Sequence, residues 1–290
     1  MELHYYQDSR GNFGDDLNEW IWDVLLPRWR SWDPETTLLG VGTLIHDVTA
    51  RSLSGRRVLV LGAGAGYGAT PEASSIEKWD FRAVRGPATA QILGLPLAKA
   101  IIDPATMVSD FPEFQNLTKK NKVVFVPQHC TTDRHPWKEI CENININYVS
   151  PEDDSRYVIQ EIAQSPLVLA ESMHAAIIAD SFRVPWIPIS ISRRFNPKKW
   201  VDFLAGGEII APIDPLFPIL DRIAQHMDLR RARWAQEKLR ISVERPRVAQ
   251  MLQIALKKPS FLTSDQLLAE RKEKYHEILE SVRKDYGGHA

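Results

Sequence analysis

Cysteine is scarce. The 290 residues contain two, Cys130 and Cys141, which form neither a C-x-x-C pair nor a disulfide framework. That excludes a small stapled secreted scaffold, argues against a structural zinc and suits a reducing compartment. Net charge is almost absent as well: 36 Lys and Arg against 37 Asp and Glu leave −1, so the basic field of a nucleic-acid binder is missing. No stretch approaches the ~20 apolar residues of a membrane span. The start, MELHYYQDSRGNFGDD, lacks the basic leader and apolar run of a secretory signal. The expectation is a cytoplasmic protein that binds no nucleic acid. What is present is a core: 44% of the residues are hydrophobic, with 9 Trp and 10 Phe, enough to fold a chain whose length corresponds to about two ordinary domains.

Short apolar runs alternate with amphipathic stretches over the first two hundred residues, the βαβ signature of parallel sheets. In the first part the runs predict strands at Leu3–Tyr6, Thr37–Leu39, Arg57–Leu61, Phe81–Val84 and Ala100–Ile102. Leu17, Trp20, Ile21 and Val24 recur at helical spacing behind Asp15 and Asp16, predicting a capped helix to Leu26. The polar stretch Thr118–Asn121 reads as a linker. Beyond it strands are expected at Val123–Val126, Ile144–Val149, Leu167–Leu169 and Trp186–Ile191, with helices at Trp137–Glu142, Tyr157–Gln164 and Ala175–Phe182. The fold class is therefore α/β: two Rossmann-like domains, 1–117 and 118–217, facing a cleft. A mainly helical segment, 218–290, interrupted by Pro246 and Pro259, is expected to pack on them.

Glycines gather just past predicted strand ends: Gly11 and Gly14, Gly40 and Gly42, Gly62 to Gly68, then Gly86. Ligands bind at that edge of open α/β sheets, and glycine lets backbone N–H groups approach an anion. The same glycines also suit plain strand-to-helix turns. Read as a dinucleotide fingerprint, the run from Gly62 places Tyr67 where glycine or alanine is needed; counted from Gly64 it reaches Ala69, but Thr70-Pro71-Glu72 follows instead of a helix. A nicotinamide or flavin cofactor is not expected, and a Walker A lysine is missing. Arg85 ends a strand before Gly86-Pro87, where a helix start and a guanidinium would together take a phosphate or carboxylate; its other reading is a surface arginine paired with a nearby aspartate. Glu171, Ser172 and His174 sit where a buried strand runs into a helix, and an imidazole there can exchange a proton near neutral pH. His129, Cys130, Asp133 and His135 match no zinc template, so no metal site is expected. The pair Arg193-Arg194 and the stretch Lys198-Lys199-Trp200 bring more positive charge to the same side.

Residues 228–258 carry nine cations, from Arg230 to Lys258, against Asp228, Glu237 and Glu244. Leu229, Trp234, Leu239, Met251, Leu252 and Leu256 lie among them. The segment reads either as a solvated helical face packed on the domains or as a peripheral contact with anionic lipid at the inner membrane.

Taken together, these motifs resemble the bacterial polysaccharide pyruvyl transferases, closest to the branch that places pyruvate ketals on exopolysaccharides of the succinoglycan and xanthan type. The matching pieces are Asn12–Asn18, Gly40–Leu44, Leu61–Gly64, Val84–Thr89, Ile102–Ala105, Val126–His129, Glu171–Asp180 and Arg183–Pro185. They cover about Gly11 to Trp200, and the Glu171–Asp180 piece is the most specific. The resemblance implies a GT-B-like pair of domains, phosphoenolpyruvate as donor, a sugar hydroxyl pair as acceptor, and Arg85 and His174 at the donor site. Many members carry an arginine two places before the histidine; this chain has Ser172. The donor's charge must then meet Arg85, Arg193, Arg194 or Lys198, with Gly62, Gly64, Gly86 and Ser172 as further donor contacts. Asn12, Gly14 and His129 are the acceptor candidates, and the acceptor is expected to be a lipid-linked oligosaccharide.

Ketal formation from an enol phosphate needs a proton at the methylene carbon, a cationic carbon, two hydroxyl attacks and loss of phosphate. His174 is the candidate acid and base, and Asp15 or Asp16 the group that orients or deprotonates a hydroxyl. No cofactor is required. Two other readings fit the same architecture: a nucleotide-sugar glycosyltransferase, and a non-catalytic binding module in polysaccharide assembly.

Overall fold

The apolar runs become short parallel strands. The structure is a computed structural model that describes residues 1–193, 195–205, 213–217 and 243–287. In the first sheet β1 (Glu2–Leu3), β2 (Thr36–Leu39), β3 (Arg57–Leu61) and β4 (Trp79–Ala83) lie side by side in sequence order, all parallel. The expected strand at Ala100–Ile102 is reduced to a single bridge between Ala100 and Val84. The expected helix behind Asp15 and Asp16 is broken into α1 (Phe13–Asp16), a 3-10 turn at Leu17–Glu19 and α2 (Ile21–Leu25). A buried asparagine explains the break. Asn18 donates to the Asp15 carbonyl and to the Val41 carbonyl and accepts the Val41 amide, so its side chain competes with the backbone ladder. Asn12, not an aspartate, occupies the capping position, and Asp15 and Asp16 fall in the first turn.

Two further helices follow in this stretch, α3 (Asp47–Ser52) and α4 (Pro87–Ile92), the latter started by Pro87 after an extended Gly86. The core beside them is built from Leu39, Val58, Val60, Trp79, Val84 and Ala90.

The second sheet contains β5 (Val123–Val126), β6 (Ile146–Tyr148), β7 (Val168–Ala170) and β8 (Trp186–Ser190), with the two-residue β9 (Asp214–Pro215) beside β8. Its order is β6-β5-β7-β8-β9, all parallel, so the chain reverses direction of winding between β5 and β7. The helices are α5 (Trp137–Glu142), α6 (Ser155–Gln164) and α7 (Met173–Ser181). Asp154 caps α6 by accepting the Tyr157 amide. α7 is buried along its whole length, which accounts for its lack of a polar face.

Neither compact unit is one continuous stretch. The first comprises Met1–Gln115, Pro197–Ile210 and Thr263–Ala290; the second comprises Asn116–Asn196 and Ala211–Leu262. The sequence places the first boundary two residues later, and it assigns 197–210 and 263–290 elsewhere. α8 (Pro197–Ala205) and the 23-residue α10 (Asp265–Gly287) belong to the first unit; α9 (Arg245–Ala255) belongs to the second. Tyr275 of α10 donates its hydroxyl proton to the Leu61 carbonyl at the end of β3, a buried bond. Pro246 starts α9 and does not interrupt it. Of the basic segment 228–258, residues 228–242 lie outside the described residues. In the remainder, Leu252, Met251 and Leu256 pack into the core around Phe125 and Trp137, and Arg245 pairs with Glu139. Those three apolar side chains face the protein core, so they do not supply a lipid-facing surface. No helix among the described residues is long and apolar enough to cross a membrane.

Candidate functional site

The strand order makes only one edge of the second sheet special. Between β5 and β7 the winding reverses, and crevices that bind ligands open at the carboxyl ends of the strands flanking such a point. His129 follows β5 and His174 follows β7, so both histidines lie at that place. The acid that organises it is Glu171. Its side chain is fully buried: Oε2 accepts the Gln128 amide at 3.0 Å and the Thr131 hydroxyl at 2.6 Å, while Oε1 accepts the amides of Ile191 at 2.6 Å and Ser192 at 3.2 Å. One carboxylate thereby ties together the loops after β5, β7 and β8. Burial pushes its acidity toward the neutral form, and the four hydrogen bonds oppose that rise. An acid directly after the apolar run Leu167–Ala170 is the sequence signal for this role.

His174 stands in the first turn of α7, 9% exposed. Ser172 is the residue capping that helix; its own amide bonds the Val126 carbonyl, and its side chain does not cap the turn. His129 opens a 3-10 turn, its Nε2 3.6 Å from Glu152 Oε1. Arg193 lies over the Phe217 ring, 4.9 Å from its centroid. Arg194 lies outside the described residues. Among the described residues no cluster of three or more His, Cys, Asp or Glu could hold a metal ion.

In the first unit the conspicuous group is Asp15. Its Oδ2 accepts from the Asn12 side-chain amide at 2.6 Å, whereas Asp16 accepts the Asn12 backbone N–H at 2.8 Å and thus closes the turn. Gly14 is buried inside α1. Burial pushes the Asp15 carboxyl up to about 7; the Lys199 ammonium opposes the rise, Asp16 and Asp103 add to it, and Arg85 opposes it. Asp15 keeps some solvent contact. Asp103, held by the Ala105 amide, is pushed up to about 6 by burial against the opposing charge of Arg85. Lys199 is half-buried, 5.8 Å from the Tyr67 ring centroid, while Lys198 is exposed.

Arg85 does take an anion, as its place before α4 predicts, but that anion is Asp202 of α8. Nε of Arg85 lies 2.9 Å from Asp202 Oδ2; Nη1 donates to the Thr43 hydroxyl at 2.9 Å and Nη2 to the Ala65 carbonyl at 3.1 Å. Asp202 also receives the Thr89 amide at 2.9 Å and the Thr89 hydroxyl at 2.6 Å, so it occupies the first turn of α4 where a substrate anion was expected. The Arg85 side chain is wholly buried, so in this arrangement it supports the loop above it. That loop needs its glycine: a Cβ on Gly64 would lie 2.2 Å from the guanidinium carbon, and one on Gly86 would lie 2.2 Å from the Asp202 carbonyl oxygen. Gly62 likewise accommodates Pro104, whose ring a Cβ would meet at 2.5 Å. Asp202 is not among the residues that motif spacing selects, and nothing local in the sequence links it to Arg85.

The comparisons with known proteins bear on both units. A model of the polysaccharide pyruvyl transferase family matches residues 49–193. The Rhizobium meliloti (strain 1021) protein described as "Succinoglycan biosynthesis protein ExoV" is 37% identical over 318 aligned positions, covering 99% of this chain and 100% of that relative. No solved structure matches the chain.

Proposed function

The chain belongs to the polysaccharide pyruvyl transferase family, and on that premise we propose that it transfers the pyruvyl group of phosphoenolpyruvate to a hydroxyl pair of a sugar in an exopolysaccharide repeat unit, as a ketal, with release of phosphate. The observation that carries the proposal is the winding reversal of the second sheet, with His129 and His174 at the two strand ends and Glu171 holding the loops between them. The two parallel α/β units also support the GT-B-like architecture that belongs to this reading.

Protonation of the donor's methylene carbon makes a methyl group and leaves cationic character on the carbon bearing phosphate. A first hydroxyl attacks that carbon and gives up its proton. The C–O bond to phosphate then breaks, phosphate leaving with the electron pair, and the second hydroxyl attacks and loses its proton. Two protons leave the sugar; one resides in the new methyl group and the other is taken by phosphate. His174 is the proposed proton donor to the methylene carbon. Asp15, with an acidity moved close to neutral, is the proposed base for a hydroxyl, and Asp16 serves as its structural neighbour. Lys198 and Lys199 supply charge for the donor's phosphate and carboxylate, backed by the buried Arg85. Asn12 and His129 are the proposed acceptor contacts. The proposed acceptor is a lipid-linked oligosaccharide reached from the cytoplasmic side.

Mass spectrometry of a panel of terminal-sugar acceptors incubated with enzyme and phosphoenolpyruvate tests the reading. One acceptor should gain a pyruvyl ketal with stoichiometric phosphate. Transfer of a sugar from a nucleotide donor, with phosphoenolpyruvate inert, would replace the proposal.

A further inference from the structure

Asp202 sits 117 residues from Arg85 in sequence and beyond the segment matched by the family model. Its side chain is 1% exposed and receives three hydrogen bonds: from Arg85 Nε, from the Thr89 hydroxyl and from the Thr89 amide. A carboxylate withdrawn from water requires such a set of donors, so the helix that carries it has one favourable seat. Gly86 admits the Asp202 carbonyl to the same seat. Lys199 precedes Asp202 by three residues in α8, so both project from one face of the helix. That face is the one whose lysine charge reaches Asp15 and whose ammonium lies against Tyr67 of the glycine loop.

We infer that Asp202 is a positioning residue for the transfer reaction: locked onto Arg85 and Thr89, it fixes α8 so that Lys199 is held toward Asp15 and the glycine loop, where the anionic donor binds. The inference rests on the reading of the chain as a phosphoenolpyruvate-dependent transferase. It assigns a task to a residue that touches no substrate.

A double-mutant cycle on the donor KM tests it, using Asp202→Asn, Lys199→Met and the pair. Each single change is expected to raise the donor KM about tenfold with kcat altered by less than about threefold, and the pair to rise about tenfold again instead of about a hundredfold, because both remove one interaction. Thr36→Val, in the same unit but at the amino-terminal end of β2, loses its bond to Asp33, lowers the unfolding temperature without moving the donor KM and so reports what mere destabilisation does. Should Asp202→Asn fail to fold, Thr89→Val takes its place with the same criteria. Additive effects, an unchanged donor KM in Asp202→Asn, or an unchanged donor KM in Lys199→Met each overturn the inference while leaving the transferase reading intact. A wild-type enzyme that forms no ketal from phosphoenolpyruvate overturns the reading itself.

Discussion

The carboxylate of Glu171 accepts the amide proton of Ile191 at 2.6 Å, twenty residues away, and this bond joins the end of β7 to the end of β8. Together with the bonds to Gln128 and Thr131 it makes one buried acid the common anchor of three loops. Both oxygens face donors, so a glutamine must turn its own NH2 group toward N–H or O–H groups. Glu171→Gln is expected to cost about 2–4 kcal/mol of unfolding free energy, the scale of a lost charged hydrogen bond plus buried donors left unmet. Urea unfolding measures it, and an unchanged midpoint would mean that the loops hold without the acid.

His174→Ala is expected to lower turnover by roughly 10²- to 10⁴-fold, the usual contribution of a positioned proton donor. Folding should be little affected, since the residue lies in the first turn of α7 and the helix is held by its apolar neighbours. Ketal formation under saturating donor and acceptor is the readout; near wild-type turnover removes the histidine from the mechanism.

The pH dependence of Asp15 has a definite sign. Its folded-state acidity constant, about 7, lies above the ordinary 3.8, so between those values the folded protein binds more protons than the unfolded chain, and this group's contribution to stability falls as pH rises. Asp15→Asn should therefore be more stable than the wild type at pH ~8, and the difference should shrink toward pH ~4, where the folded carboxyl is already neutral. If Asp15 is the base, turnover climbs as pH passes about 7. Lys199→Met, which removes a charge favouring the carboxylate, should move that limb to higher pH. Thermal unfolding and rate profiles over this range decide both points.

Arg85→Met should unfold the first unit more easily by about 3–5 kcal/mol, because a buried carboxylate is left with its countercharge removed. Arg85→Lys keeps the charge but cannot serve Asp202, Thr43 and Ala65 at once, so it should lie between Met and the wild type. Denaturant curves at neutral pH give the order, and equal stability of all three proteins would mean that the pair contributes nothing.

Several elements could be read directly from the order of residues. Arg57–Leu61, Val123–Val126 and Trp137–Glu142 have the bounds that their apolar spacing predicts, since a short run flanked by polar residues states its own period. The Glu171–Asp180 motif, which runs from the end of a strand into a helix, carried the family, and with it the class of reaction. Other features escaped because a distant partner decided them. The helix behind Asp15 broke where Asn18 turned to Val41, and the segment at Ala100–Ile102 kept only one bridge. The anion site before α4 was visible as a pattern of a turn, a proline and an arginine, yet its occupant was not. Sequence alone determined that residue 85 would present a guanidinium beside a helix start. Only the tertiary structure decided that Asp202 would meet it, because ion pairing in a low-dielectric interior depends on which carboxylate the fold brings within 2.9 Å, and that choice is made by the packing of α8 against α4.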